Sequence, residues 1–76
     1  MSHAHALFFS THHALWAEQV LAAANIAAKV VPVPRHLSSD CGYCVRLDAA
    51  QAGRAEALLR GAGVELDRMV RDPLSA

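Results

Sequence analysis

Residues 6–11, Ala-Leu-Phe-Phe-Ser-Thr, decide the fold, because the chain changes within them from a strand pattern to a helix start. The short apolar and aromatic run that opens this segment is typical of a strand buried on at least one face. Ser10 or Thr11 then supplies a side-chain oxygen that caps a helix beginning near His12. The segment therefore predicts a strand followed directly by a helix.

The rest of the chain continues this alternation of strands and helices. Prolines at positions 32 and 34 remove backbone donors from the second predicted strand, which favours a position at a sheet edge. The predicted strands are Ala6–Phe9, Ala28–Val33, Tyr43–Leu47 and Val64–Val70, and a polar connection at Arg35–Gly42 joins the second strand to the third. The first predicted helix runs from about His12 to Ala24, and Asn25 ends it. The second begins after Asp48, which caps it together with Gln51, and Gly61 and Gly63 end it.

This order predicts an α+β fold, the ferredoxin-like βαββαβ plait, in which a four-stranded antiparallel sheet carries two helices on one face. A right-handed crossover places the third strand between the first and the second. The connection 35–41 is then expected to lie near Ser10, Thr11 and His12 in space, although these residues are far from it in the sequence. We expect a single domain over residues 1–76, with an ordered core of about residues 5–71 and a short flexible tail.

Composition narrows the classes of function. The chain has seven basic and seven acidic side chains and no basic run, which argues against nucleic acid or an anionic membrane as a partner. No apolar stretch approaches the roughly 18 residues of a spanning helix, and no secretory signal is apparent, so a cytoplasmic location is expected. Many of the hydrophobic residues are alanine, and a core of such small volume makes a homodimer an expectation.

Two cysteines form a CxxC motif, Cys41-Gly42-Tyr43-Cys44, that allows three interpretations. A redox pair would use one thiol to attack and the other to resolve, but the motif leads into a strand and lacks the usual helix start. A zinc site needs about four ligands and would have to recruit histidines or a second subunit. In the third interpretation Cys44 packs as a small strand residue and Cys41 is a surface thiol. The motif alone leaves all three open.

The predicted topology makes Cys41 the more interesting thiol. It is expected near the N-terminus of the first helix, whose unpaired N–H groups carry about half a positive charge. Arg35 and a protonated His12 or His36 would add to this charge, which favours a thiolate or a bound anion such as a persulfide, selenide or phosphate. Arg35 has a plainer alternative, as a solvated loop residue that pairs with Asp40.

The five histidines do not predict a metal site. Neither His3 and His5 nor His12 and His13 have the i, i+4 spacing of a helical zinc site. We therefore expect solvated histidines, no metal and no cofactor. His12 is also a candidate base or hydrogen-bond partner for Cys41.

Three segments, in this order, carry a family resemblance. They are Phe9-Ser10-Thr11-His12 followed by Ala14-Leu15 and Glu18, then Val31-Pro32-Val33-Pro34-Arg35, then Ser38-Ser39 with Cys41-Gly42. In this combination the chain resembles the small selenium/sulfur (Se/S) carrier-like proteins of bacteria and archaea.

The resemblance implies a carrier that is not an enzyme and that holds reduced sulfur or selenium on Cys41 as a persulfide-like adduct. Its partners would be sulfur or selenium donor and acceptor proteins. Arg35 and the first helix would stabilise the anion, and Gly42 would let the backbone approach closely. The other matching binding positions are Ser10, Thr11, His12, Ser38 and Ser39.

Cys44 departs from the family pattern, which usually has an apolar or small residue at this position. Two alternatives to the carrier remain open from the residues themselves. One is a dithiol redox or metal-binding module that uses Cys41 and Cys44 together. The other is a small interaction domain that assembles through the sheet face left open by the helices.

Overall fold

The computed structural model describes residues 2–35, 37 and 42–72, and its elements follow the predicted βαββαβ order. A short 3₁₀ turn at Ala49–Gln51 precedes the second helix. The elements are β1 at His3–Phe8, α1 at Thr11–Ala23, β2 at Ala28–Pro32, β3 at Tyr43–Asp48, α2 at Ala52–Ala62 and β4 at Leu66–Asp72.

The four strands form one antiparallel sheet in the order β2-β3-β1-β4. The third strand lies between the first and second, as the right-handed crossover predicted. Both helices pack on the face that carries Ala4, Ala6 and Phe8 of β1, because successive side chains of a strand point to opposite faces. The ferredoxin-like plait is therefore confirmed.

β2 is an edge strand, as its prolines predicted, and its outer side offers no free backbone N–H at positions 30, 32 and 34. Val33 donates its N–H to the Gly42 carbonyl (N···O 3.1 Å), so the backbone groups of positions 30, 32 and 34 face away from β3. Pro32 and Pro34 have no N–H to offer, and the Val30 N–H donates to Glu18 Oε2 of α1 at 3.1 Å. This arrangement discourages the edge from pairing with another chain.

Small side chains fill much of the core between sheet and helices. Phe8, Leu21 and Leu59 are its largest fully buried members. The buried alanines are Ala4, Ala6, Ala14, Ala17, Ala52 and Ala55. The alanine-rich interior agrees with the sequence, and the homodimer expected from it stays a prediction.

Several element boundaries differ from those predicted. β1 begins at His3 rather than Ala6, because it pairs with β3 on one side and β4 on the other and needs no apolar run to be held. Phe9, predicted inside this strand, lies beyond it and is 58% exposed. β4 begins at Leu66 instead of Val64 and continues to Asp72, where the tail was expected to start.

The helix ends follow backbone conformation. Asn25 after α1 has φ 61° and Gly63 after α2 has φ 87°, so both adopt the left-handed conformation that ends a helix. Gly61, predicted to share in ending α2, lies inside it. Asp48 caps the 3₁₀ turn, where Oδ1 accepts the Ala50 N–H at 3.0 Å.

His5 contradicts the expectation that the histidines are solvated. It is only 6% exposed, because it lies in the central strand β1 between Arg46 of β3 and Val70 of β4.

Among the described residues no helix is long and apolar enough to cross a membrane.

Candidate functional site

The two described ends of the connection between β2 and β3 lie at one end of the strands, the end at which β1 leads into α1. Pro32 is the register partner of Tyr43, and the Val33–Gly42 hydrogen bond extends this pairing by one step. Cys44 of β3 is also the partner of Leu7 near the end of β1. The ends of the connection and the start of α1 therefore share one edge, as the topology predicted.

Ser10 is the N-cap of α1. It has extended backbone angles (φ −151°, ψ 156°), and its Oγ accepts the His13 N–H at 3.4 Å. Its carbonyl accepts the Ala14 N–H at 3.2 Å, which begins the helical ladder. The first turn, residues 11–14, contains no acidic side chain, so the positive end of the helix dipole is not neutralised by its own helix.

Replacing Ser10 with alanine is expected to lower the free energy of unfolding by about 1 kcal/mol, since a helix N–H loses its side-chain acceptor. Urea denaturation followed by circular dichroism measures the change. The matched control is Ser10→Asn, whose side chain can accept the same bond and should restore most of the stability. Equal losses in both variants would contradict a capping role.

Arg35 lies in a tight turn immediately after the end of β2. The Leu37 N–H donates to the Pro34 carbonyl at 3.0 Å and closes this turn, and the Arg35 side chain is exposed. The described residues do not include three of the predicted site residues, Ser38, Ser39 and Cys41. They also do not include the neighbouring His36 and Asp40. Their roles stay predictions.

The two cysteines of the CxxC motif are not equivalent. Cys44 is fully buried in β3, between its register partners Leu7 and Val31. Gly42, the residue next to Cys41 in the chain, is exposed. A thiol with no exposed surface cannot meet a thiol, disulfide or metal delivered from solvent, since such reactions require access.

The two histidines at the start of α1 have different surroundings. His12 is exposed, and its ring meets the His13 ring edge-on at a centroid distance of 5.8 Å. His13 Nδ1 accepts the Glu65 N–H at 3.1 Å, and its ring lies 5.7 Å from the Trp16 ring. The sequence did not predict this contact, because a bond across 52 residues has no local signal. His13 thus serves to hold α1 against the segment before β4.

Thr11 is exposed at the first position of α1, beside its Ser10 cap. Within the described ranges 2–35, 37 and 42–72, no three His, Cys, Asp or Glu side chains come together as metal ligands. The described part of the site is thus a capped helix N-terminus, an exposed arginine and an exposed glycine at one sheet edge.

The model of one protein family, described as "Putative Se/S carrier protein-like", matches residues 4–71. The chain belongs to this family. The match covers both helices and all but the first residue of β1 and the last residue of β4, and so reaches further than the segments between Phe9 and Gly42 that carry the resemblance in the sequence. None of the curated proteins and none of the solved structures matches this Se/S carrier-like chain.

Proposed function

We propose that this protein is a sulfur or selenium carrier, not an enzyme, and that Cys41 is the thiol that holds the chalcogen. Family membership supports the carrier role. The burial of Cys44 carries the choice of thiol, because it withdraws one of the chain's two cysteines from solvent. The same burial weighs against a dithiol redox or metal module.

The proposed chemistry is transfer of a sulfane sulfur. The Cys41 thiolate attacks the terminal sulfur of a donor persulfide, R–S–SH. A new S–S bond forms on Cys41 as the donor S–S bond breaks, and the donor leaves as the thiolate R–S⁻. No electrons are gained or lost overall, so the step needs no cofactor. An acceptor thiolate would remove the sulfur by the same exchange in reverse.

Positive charge at the described edge supports an anionic adduct. The first turn of α1 contains no acidic side chain, and Arg35, at the start of the connection, is exposed. A helix N-terminus and an arginine both favour a thiolate or persulfide anion over its protonated form. A reducing compartment such as the cytoplasm would keep Cys41 available between transfers.

The test is intact-mass spectrometry after incubation with a cysteine desulfurase and cysteine, and in parallel with inorganic polysulfide. We expect a mass increase of about 32 Da, one sulfur atom, that dithiothreitol removes. The polysulfide reaction needs no protein donor, so it reports on the thiol alone. Absence of the adduct in both reactions would refute the carrier proposal.

Gly42→Ala is expected to leave stability unchanged, because a Cβ at this exposed position would have no atom within 4 Å. Thermal unfolding measures this directly. If donor proteins approach the backbone at Gly42, the same variant should accept sulfur more slowly from the desulfurase but at an unchanged rate from polysulfide. Equal rates from the desulfurase in both proteins would argue that Gly42 is not approached.

A further inference from the structure

The sheet face opposite the helices carries a row of basic side chains. Lys29 of β2 is the register partner of Arg46 of β3, and Arg46 is in turn the partner of His5 of β1. Register partners project from the same face of an antiparallel sheet and lie about 5 Å apart at Cβ. Lys29 and Arg46 are both exposed. We call these two residues the cationic pair.

The cationic pair lacks the ion-pair partners that two other arginines of the described residues have. Arg60 contacts Glu56 at 3.1 Å and Arg68 contacts Asp67 at 3.3 Å. Within the described part of the chain, neither Lys29 nor Arg46 forms an ion pair. Like charges directly opposite each other destabilise a sheet, so the fold itself gains nothing from this pair. A local conflict of this kind is expected at a surface that serves a function.

A groove beside the pair leaves room for another molecule. It has a volume of about 540 Å³ and is lined by the cationic pair with Ser2, His3 and Asp48 at the end of the sheet where β1 begins. Asp48 also lines the groove, and its carboxylate accepts the Ala50 N–H at 3.0 Å but forms no ion pair with Lys29 or Arg46. The cationic pair therefore outnumbers the carboxylate of the groove by two charges to one.

We propose that this face docks a partner protein through Asp or Glu carboxylates that pair with Lys29 and Arg46. Half-buried Val31 lies two residues from Lys29 on the same face, and half-buried Val70 lies beyond His5 in the same row. A mixture of arginine and apolar surface is characteristic of protein interfaces. A free anion would find only exposed cations here, which hold it weakly in water.

The proposal rests on the proposed function, since the partner would be a sulfur donor or acceptor. Gly42 lies four residues before Arg46 in the chain, or about 13 Å at the rise of an extended strand. A protein that docks on the cationic pair and also covers the face from Arg46 towards Tyr43 would reach the end of the connection that contains Cys41. Docking by charge would also speed the encounter of the two proteins.

The test is a titration of the full chain with a short oligoglutamate peptide at low ionic strength, followed by backbone amide shifts in NMR spectra. Shifts should concentrate at residues 29, 31, 44 and 46 and disappear at high salt. The double variant Lys29→Ala/Arg46→Ala should bind about tenfold more weakly. The matched control Arg54→Ala/Arg60→Ala removes two exposed cations from α2 and should bind like the unchanged protein.

Shifts centred on the α2 arginines, or no shifts at all, would overturn the proposal. So would equal shifts at the same amides with inorganic phosphate, which would assign the groove to a small anion. Dispersed spectra of both double variants show that they fold. Because no sulfur moves in this titration, and Cys41→Ser should give the same result, a negative outcome leaves the carrier proposal standing.

Discussion

Replacing Cys41 with serine is expected to abolish the dithiothreitol-sensitive adduct, whereas replacing Cys44 with alanine should leave its yield unchanged. The contrast follows from access. Cys44 has no exposed surface and lies between Leu7 and Val31 inside the sheet. A serine hydroxyl cannot replace the thiolate as nucleophile at neutral pH, so Cys41→Ser should abolish the reaction and not only slow it. Intact-mass spectrometry of both variants measures the result.

Stability supplies the control for this comparison. Cys44→Ala removes one buried atom and should destabilise the protein by about 1 kcal/mol, in the range of deleting one buried methylene. Cys41→Ser should unfold at the same urea concentration as the unchanged protein if Cys41 serves chemistry and not folding. An adduct that survives Cys41→Ser, or one that disappears in folded Cys44→Ala, would reverse the assignment.

The features predictable from sequence are those encoded in a residue's own chemistry. Pro32 and Pro34 lack N–H groups, so an edge position for β2 followed without knowing any neighbour. Asn25 and Gly63 tolerate positive φ, and Ser10 carries a capping oxygen, so the helix ends and the α1 start followed in the same way. The plait then came from the order of elements.

What could not be predicted depends on cross-strand register. The burial of His5 results from a central position between two strands, and no apolar pattern in its own segment signals it. The pairing of Lys29 with Arg46 joins residues 17 positions apart and becomes visible only with the register. The bond from Val30 to Glu18 likewise depends on where α1 lies against the sheet edge. The chemistry of Cys41 itself lies outside the described residues and stays a proposal.

Phe8→Ala is expected to lower the free energy of unfolding by about 3–5 kcal/mol, the largest effect of any single truncation in this core. Phe8 is fully buried and is the largest of the fully buried side chains. Domains of 76 residues have total stabilities of about 4–11 kcal/mol at typical values per residue, so this variant should lose about a quarter or more of its stability. Urea denaturation monitored by Trp16 fluorescence measures the loss.

Phe9→Ala is the matched control, because it removes the same ring from the next residue, which is 58% exposed. We expect it to change the free energy of unfolding by less than about 1 kcal/mol. Phe8 is the last residue of β1 and Phe9 lies beyond it, so the difference between the two variants tests whether β1 ends at Phe8. Similar losses would place Phe9 against the core and move Ser10, and with it the proposed carrier site, off the helix start.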